Sequence, residues 1–297
     1  VDWYMMNNKE LLGYLRVLAG MTTTNAMNRN IGSLRNIGVE FNITARPIVS
    51  NDFNWSTGLN VAWNSNKITE LTGSAEEDKT FTLDAYGNPA SENAGPIQVH
   101  KVGKPAFSFY VLEQVYDKDG NPIPNVYVDQ NQDGEIDAND LVVKHSKDPK
   151  VTINWNNNFS YKNWDLGFVL RASIGNYVFN GVRPGAINLT NIQGQGSRLN
   201  NVLVSDFYFN DNSAVTNLVR SSYFLENAGF LRCDNITLGY TFPNLLNNNL
   251  KLRVFGAVQN PFVITKYSGL DPEVFSGVDS NTYPRPTTYS LGLVATF

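Results

Sequence analysis

The residues with the most chemical content lie in one dodecamer, Asp129-Gln130-Asn131-Gln132-Asp133-Gly134-Glu135-Ile136-Asp137-Ala138-Asn139-Asp140. Oxygen-bearing side chains at its positions 1, 3 and 5 (Asp129, Asn131, Asp133) precede a glycine at position 6, the spacing of an EF-hand calcium loop. Glu135 at position 7 offers its backbone carbonyl, and Asp137 at position 9 stands where a water often bridges to the ion. Asp140 occupies position 12, where a bidentate Glu is usual, and its shorter side chain loosens that corner. Helices do not flank the dodecamer, so the expectation is a calcium loop without an EF-hand domain. Ca²⁺ would be a structural clip with an affinity on the order of 10⁻⁴–10⁻³ M. The competing reading is an Asx-rich surface turn that holds no metal.

No catalytic constellation accompanies this loop. His100 and His145 have no metal-type spacing, and Glu76-Glu77-Asp78 is a solvated charge run rather than an acid/base pair. The protein is therefore not expected to be an enzyme. The net charge of −4, without a basic stripe, argues against nucleic acid as a partner. Cys233 is the single cysteine, so no internal disulfide can form.

The elements that must carry the loop are long alternating strands. Ile153, Trp155, Phe159 and Tyr161 share one parity, against Thr152, Asn154, Asn156, Asn158 and Ser160. After Lys162-Asn163 the alternation resumes from Trp164 to Ile174. Strand side chains alternate between faces, and soluble strands average about 5–6 residues. Strands of ten or more with aromatic ends and tight turns are the pattern of an outer-membrane β-barrel. Charged residues make up 17% of the chain, below the ~25% of soluble domains. No run of 18 or more apolar residues exists, so no transmembrane helix is expected. Val1-Asp-Trp-Tyr is not a signal peptide.

Eight strands are expected near 2–14, 36–46, 52–68, 150–161, 164–180, 224–242, 250–262 and 286–297. Their connections alternate long and short, which places the turns at Pro47, Lys162 and Pro243, and the C-terminus, in the periplasm. Residues 71–150 then form a large extracellular loop region with strands of its own, and Gly181–Tyr223 and Val263–Arg285 fold over the mouth. Tyr177, Arg183, Tyr208, Tyr267 and Tyr283 fall near that rim, where they could contact a ligand or simply pack. Arg171 and Asp165 are expected in the lumen, and Arg46 nearer the periplasmic end. Phe297, the C-terminal aromatic, suits an assembly signal and equally a girdle residue.

Several segments resemble the SusC/RagA family of TonB-dependent outer-membrane transporters. They include Asn30-Ile-Gly-Ser-Leu-Arg-Asn-Ile-Gly-Val-Glu-Phe41, Phe109-Tyr-Val-Leu-Glu-Gln-Val-Tyr-Asp117 and Phe230-Leu-Arg-Cys-Asp-Asn-Ile-Thr-Leu-Gly-Tyr240. Gln259-Asn-Pro-Phe-Val-Ile-Thr-Lys-Tyr-Ser-Gly-Leu-Asp-Pro-Glu273 and Tyr283-Pro-Arg-Pro-Thr-Thr-Tyr-Ser-Leu-Gly292 extend the likeness to the end of the chain. The resemblance implies the C-terminal part of a barrel of about 22 strands, with the plug, the segment that meets the TonB complex and the N-terminal barrel absent from these 297 residues. It also implies a Gram-negative outer-membrane location, import of oligosaccharide or peptide, and a SusD-like surface lipoprotein as lid. The alternative is a soluble, calcium-stabilised β-sandwich that binds glycans, which would bury its tryptophans.

Overall fold

The computed structural model describes residues 1–16, 26–30, 32–71, 82–85, 97–186, 220–245 and 250–296. Eight long strands form one antiparallel sheet in simple chain order: β1 (Asp2–Asn8), β2 (Ser33–Val49), β3 (Phe53–Glu70), β4 (Val151–Tyr161), β5 (Trp164–Ile174), β6 (Phe230–Leu245), β7 (Leu250–Thr265) and β8 (Thr288–Thr296). Among the described residues β1 and β8 are the sheet's edges, each paired on one side only.

Alternation sorts the two faces, and register extends each face across strands. Trp3, Val39, Trp63, Val151 and Ile174 are successive cross-strand partners in one apolar row. A second row runs Tyr161, Trp164, Tyr240, Val254 and Leu293. These apolar side chains are not covered: Trp3 is 65% exposed, Trp63 42%, Trp155 39%, Trp164 49% and Leu291 82%. A sandwich would bury them, so that architecture is excluded. The opposite face carries Asn42, Asn60, Asn154, Arg171 and Arg232 in register. Two cavities, of about 730 and 510 Å³, are lined largely from that polar face, which marks it as concave.

Three expected strands are shorter than the alternation suggests. The first stops at Asn8, before Glu10 at φ 57, and Leu12–Arg16 pairs instead with Ala26–Asn30. The fifth stops at Ile174, where Gly175 turns left-handed at φ 88. Beyond it Tyr177–Asn180 joins a separate three-stranded sheet with Leu225–Asn227 and Val278–Asp279. The sixth therefore begins at Phe230 rather than 224. The alternation falters at these breaks, at Asn7-Asn8-Lys9-Glu10 and at Gly175-Asn176, but it does not show which strand the chain pairs with beyond them.

The loop region 71–150 does carry strands. Gln98–Lys101, Ser108–Leu112 and Leu141–Ser146 pair in one sheet with Thr82–Ala85. Ile97, Phe109, Val111, Phe179, Phe224 and Val278 form one buried cluster. Three different inter-strand connections contribute to it, so the loops at this end are a small packed unit rather than separate excursions.

Candidate functional site

An ion network binds this loop unit to the polar face. Arg171 on β5 donates Nε to Asp234 Oδ2 (3.0 Å) and Nη2 to Asp234 Oδ1 (3.1 Å). Its Nη1 and Nη2 also reach Glu273, at 2.5 and 3.0 Å. Arg232 on β6, 2% exposed, donates to Asp271 (2.7 Å) and to Asn260 Oδ1 (2.6 Å). Arg285 reaches the same Glu273 at 2.9 Å. Asp234 lies at a register shift in β6, and Asp271, Glu273 and Arg285 come from the segment between β7 and β8. The network thus fastens the 266–287 connection onto the wall.

Above it lies the 510 Å³ cavity, lined by Lys147, Asp148, Arg171, Glu273, Phe275 and Arg285 among others. Phe275, in its lining, is 94% exposed with the Lys147 ammonium 5.0 Å from its ring centre, and Tyr283, on the same connection, is 86% exposed. At the other end of the same face, Arg253 makes a bidentate pair with Asp165. That pair passes over Gly239, where a Cβ would stand 2.6 Å from Asp165 Oδ1 and 2.7 Å from Arg253 Nη2. Arg46 lines the adjoining 730 Å³ cavity, together with Asn156, Asn158 and Asp165.

The rim residues expected from sequence separate into different roles. Tyr177 stacks on His145, ring centroids 3.6 Å apart. Arg183 bonds Glu226 and the Tyr223 hydroxyl, both at 2.9 Å. Tyr267 is buried and donates its hydroxyl to Asp279 Oδ2 at 2.7 Å; burial, then that carboxylate, pushes its pKa far up. These three side chains hold loops together. Tyr283 alone of the described candidates is free on the surface, while Tyr208 and Phe297 lie outside the described residues. Arg232, Asp234, Asp271, Glu273 and Phe275 were not singled out by sequence. The hints were the Phe230–Tyr240 segment, which holds Arg232 and Asp234, and the Leu-Asp-Pro-Glu run ending at Glu273.

The dodecamer forms a chain of Asx turns. Asp129 accepts from the N–H groups of Gln132 (2.6 Å) and Gly134 (2.9 Å), and Asp133 Oδ1 accepts from Glu135 N–H (2.9 Å). Gly134 has φ 85, as its position requires. Asp137 caps the 3₁₀ turn Ala138–Asp140. Asp140, fully buried, accepts from Gln130 N–H (2.7 Å) and Asp137 N–H (2.8 Å). The Asp137 N–H, foremost among several bonds opposed by desolvation, keeps the Asp140 carboxyl below the usual range. Asp140 thus clasps the two ends of the loop. The donors Asp129, Asn131 and Asp133 are all oxygen and suit a hard cation. Among the described residues, however, no three His, Cys, Asp or Glu side chains converge in a metal-holding group.

No protein-family model matches the chain. The TonB-dependent receptor SusC of Bacteroides thetaiotaomicron is 42% identical over the whole chain, which covers 30% of that protein. TonB-dependent receptor P3 of Formosa agariphila is 28% identical over 98% of the chain and 31% of its own length. Among solved structures, the RagAB peptide transporter superposes with a TM-score of 0.72 at 22% identity, over 99% of this chain and 33% of that one. That likeness shows the fold. The chain spans about a third of the length of these relatives, which are named as receptors and transporters rather than enzymes. An uncovered apolar face backed by a polar, ion-paired one, in a chain this similar to SusC, belongs to a TonB-dependent receptor of the SusC/RagA type.

Proposed function

We propose that this chain is part of the wall of an outer-membrane barrel through which a TonB-dependent receptor imports oligomeric nutrient, an oligosaccharide or a peptide. The observation that carries the reading is the division of one eight-stranded sheet into an exposed apolar face and a concave polar face. In lipid that arrangement puts aliphatic and aromatic side chains against hydrocarbon and leaves the polar row lining a wet lumen. Open edges are not tolerated there, so β1 and β8 would pair with strands from the rest of the receptor, which also supplies the plug and its contact with the TonB complex. The short turns face the periplasm, as does the C-terminal end of β8.

The lumen mouth is where this chain meets cargo. Phe275 and Tyr283 offer ring faces that suit sugar rings or peptide side chains, and Arg285 offers hydrogen-bond donors beside them. The network through Glu273 holds the segment that carries all three. A SusD-like lipoprotein would sit over the same mouth. Support for the peptide class comes from a structural relative named a peptide transporter, and the oligosaccharide class rests on the family resemblance of the sequence.

The test expresses the intact receptor in an outer membrane and compares wild type with Phe275→Ala/Tyr283→Ala. Detergent-dependent extraction and heat-modifiable migration, with uptake of labelled oligomer reduced in the double variant, are expected. A receptor that fractionates without detergent would overturn the barrel reading. Unchanged uptake would remove the two rings from the cargo path.

Calcium is a second, smaller proposal. Side chains of Asp129, Asn131 and Asp133 and the Glu135 carbonyl would hold it, with Asp137 reaching it through water. Asp140 then contributes by closing the loop, not as the standard bidentate ligand.

A further inference from the structure

The apolar face ends at a cationic rim. The row Trp3, Val39, Trp63, Val151 and Ile174 sits toward the loop end of the sheet, with Met5, Ile37 and Ser65 next above it on the same parity. Four residues further along β2 and β3, on the same parity, Arg35 stands directly opposite Lys67, and both are exposed. Like charges placed opposite each other on a sheet repel. Arg35 donates Nε to the neutral Asn7 Oδ1 at 2.8 Å, and Lys67 makes no ion pair among the described residues.

Two further lysines are fixed to the same rim by backbone bonds. Ile68 N–H donates to Lys104 O (3.0 Å), and Asn64 N–H donates to Lys150 O (3.0 Å). Lys150 N–H in turn donates to Ile174 O (2.9 Å). The Lys150 stem lies along Gly175, where an added Cβ would stand 3.2 Å from it. Both lysines are exposed, and neither makes an ion pair among the described residues. Two carboxylates stand nearby and each has a partner: Asp148, which lines the same rim, lies 3.3 Å from Lys147, and Glu70 accepts from Ser33 at 3.4 Å. A cavity of about 700 Å³ joins the two zones, lined by Trp63, Lys104, His145, Lys150 and Ile174 among others.

We propose that this rim binds the phosphorylated headgroup of a lipid in the outer leaflet, with phosphate among Lys67, Lys104 and Lys150 and acyl chains along Trp63, Val151 and Ile174. The inference rests on the outer-membrane reading above. Its occupant is set by two features found together: unpaired cations call for an anion, and the adjoining exposed apolar row calls for hydrocarbon. A free phosphate would use only the first. Long lysine stems can lie on apolar surface while the ammonium reaches the headgroup level. The same charges would draw anionic lipid electrostatically.

The experiment uses the intact receptor in mild detergent and measures binding of fluorescent lipid A, in phosphorylated and dephosphorylated forms. For Lys67→Gln/Lys104→Gln/Lys150→Gln, affinity for the phosphorylated form should fall by about tenfold or more. The corresponding triple Arg variant should retain it, as should Lys251→Gln at the far end of β7. Dephosphorylated lipid A should bind wild type no better than the Gln variant does. A membrane-integrated, heat-modifiable receptor whose Gln variant binds both lipids as wild type does would overturn the lipid site alone. A receptor that never enters the membrane would overturn the site and the barrel reading together.

Discussion

Arg171 and Arg232 are directly opposite each other in register on β5 and β6, and both sit against Glu273. Two guanidiniums in that position repel unless carboxylates intervene. Asp234 and Asp271 each serve one arginine, while Glu273 lies between them, 2.5 Å from Arg171 Nη1 and 2.9 Å from Arg232 Nε. Because Asp271 and Glu273 belong to the β7–β8 connection, neutralising the wall's charge requires that connection to be docked.

Glu273→Gln should therefore loosen the mouth. It leaves the nearly buried Arg232 with Asp271 alone and Arg171 with Asp234 alone, so more than one charge contact is lost at once. Arg285→Gln removes a half-exposed partner of the same carboxylate and should cost less than about 1 kcal/mol. Limited proteolysis between β7 and β8 in the intact receptor would compare them. Equal cutting of the two variants would contradict the bridging role.

The strands were legible because alternation is a local property of the chain, and all eight expected strands are present. Their ends were less so. Glu10 and Gly175 end strands through left-handed backbone conformation, and alternation resumes soon enough beyond them for one strand to be read as running on. The ion network was not legible, since the pairing of Arg171 with Arg232 depends on the register shift around Asp234 and on a segment some forty residues away in sequence. In the dodecamer, spacing marked the oxygens. It could not show that the backbone N–H groups of Gln130 and Asp137 would occupy both oxygens of Asp140.

Gly239→Val should displace the Asp165–Arg253 pair, because the new side chain would occupy the space the two charges share. Overpacking costs about 1–3 kcal/mol. The double change Gly239→Val/Asp165→Ala should not recover wild-type stability, since it strands Arg253. Adding Arg253→Ala should recover part of it. Melting of the receptor in detergent reads the series.

Acid should weaken the loop unit before it weakens the sheet. Burial lowers the His100 pKa, and burial followed by Lys144 and Lys150 lowers that of His145. His100 Nδ1 also accepts the Phe107 N–H at 3.3 Å, which needs a neutral ring. The unfolded state then binds more protons than the folded one. The neutral-imidazole contribution is complete above about pH 6.5 and is lost as pH falls from there through the folded-state values. Proteolysis of the 97–150 region should quicken between pH 7.5 and 5.5 in wild type, and less so in His100→Phe/His145→Phe. The same slope in both would discard the imidazoles as the cause.

The dodecamer offers the sharpest test of metal against backbone clasp. If calcium is held by Asp129, Asn131 and Asp133, millimolar Ca²⁺ should slow cleavage within 129–140 in the intact receptor, and a chelator should reverse it, in keeping with a site of about 10⁻⁴–10⁻³ M. Asp133→Ala should abolish that response while changing metal-free cleavage little, because its carboxylate takes only the Glu135 N–H and the Asn131 side-chain amide, both within the loop, and does not join the loop's ends. Asp140→Asn should act differently. An amide oxygen can still accept from one of Gln130 and Asp137, but its NH₂ faces the other N–H where the second carboxylate oxygen stood. Cleavage should then rise with or without calcium. If cleavage of wild type is the same in calcium and in chelator, while Asp140→Asn is cut faster in both, the loop is closed by its own backbone hydrogen bonds and needs no ion.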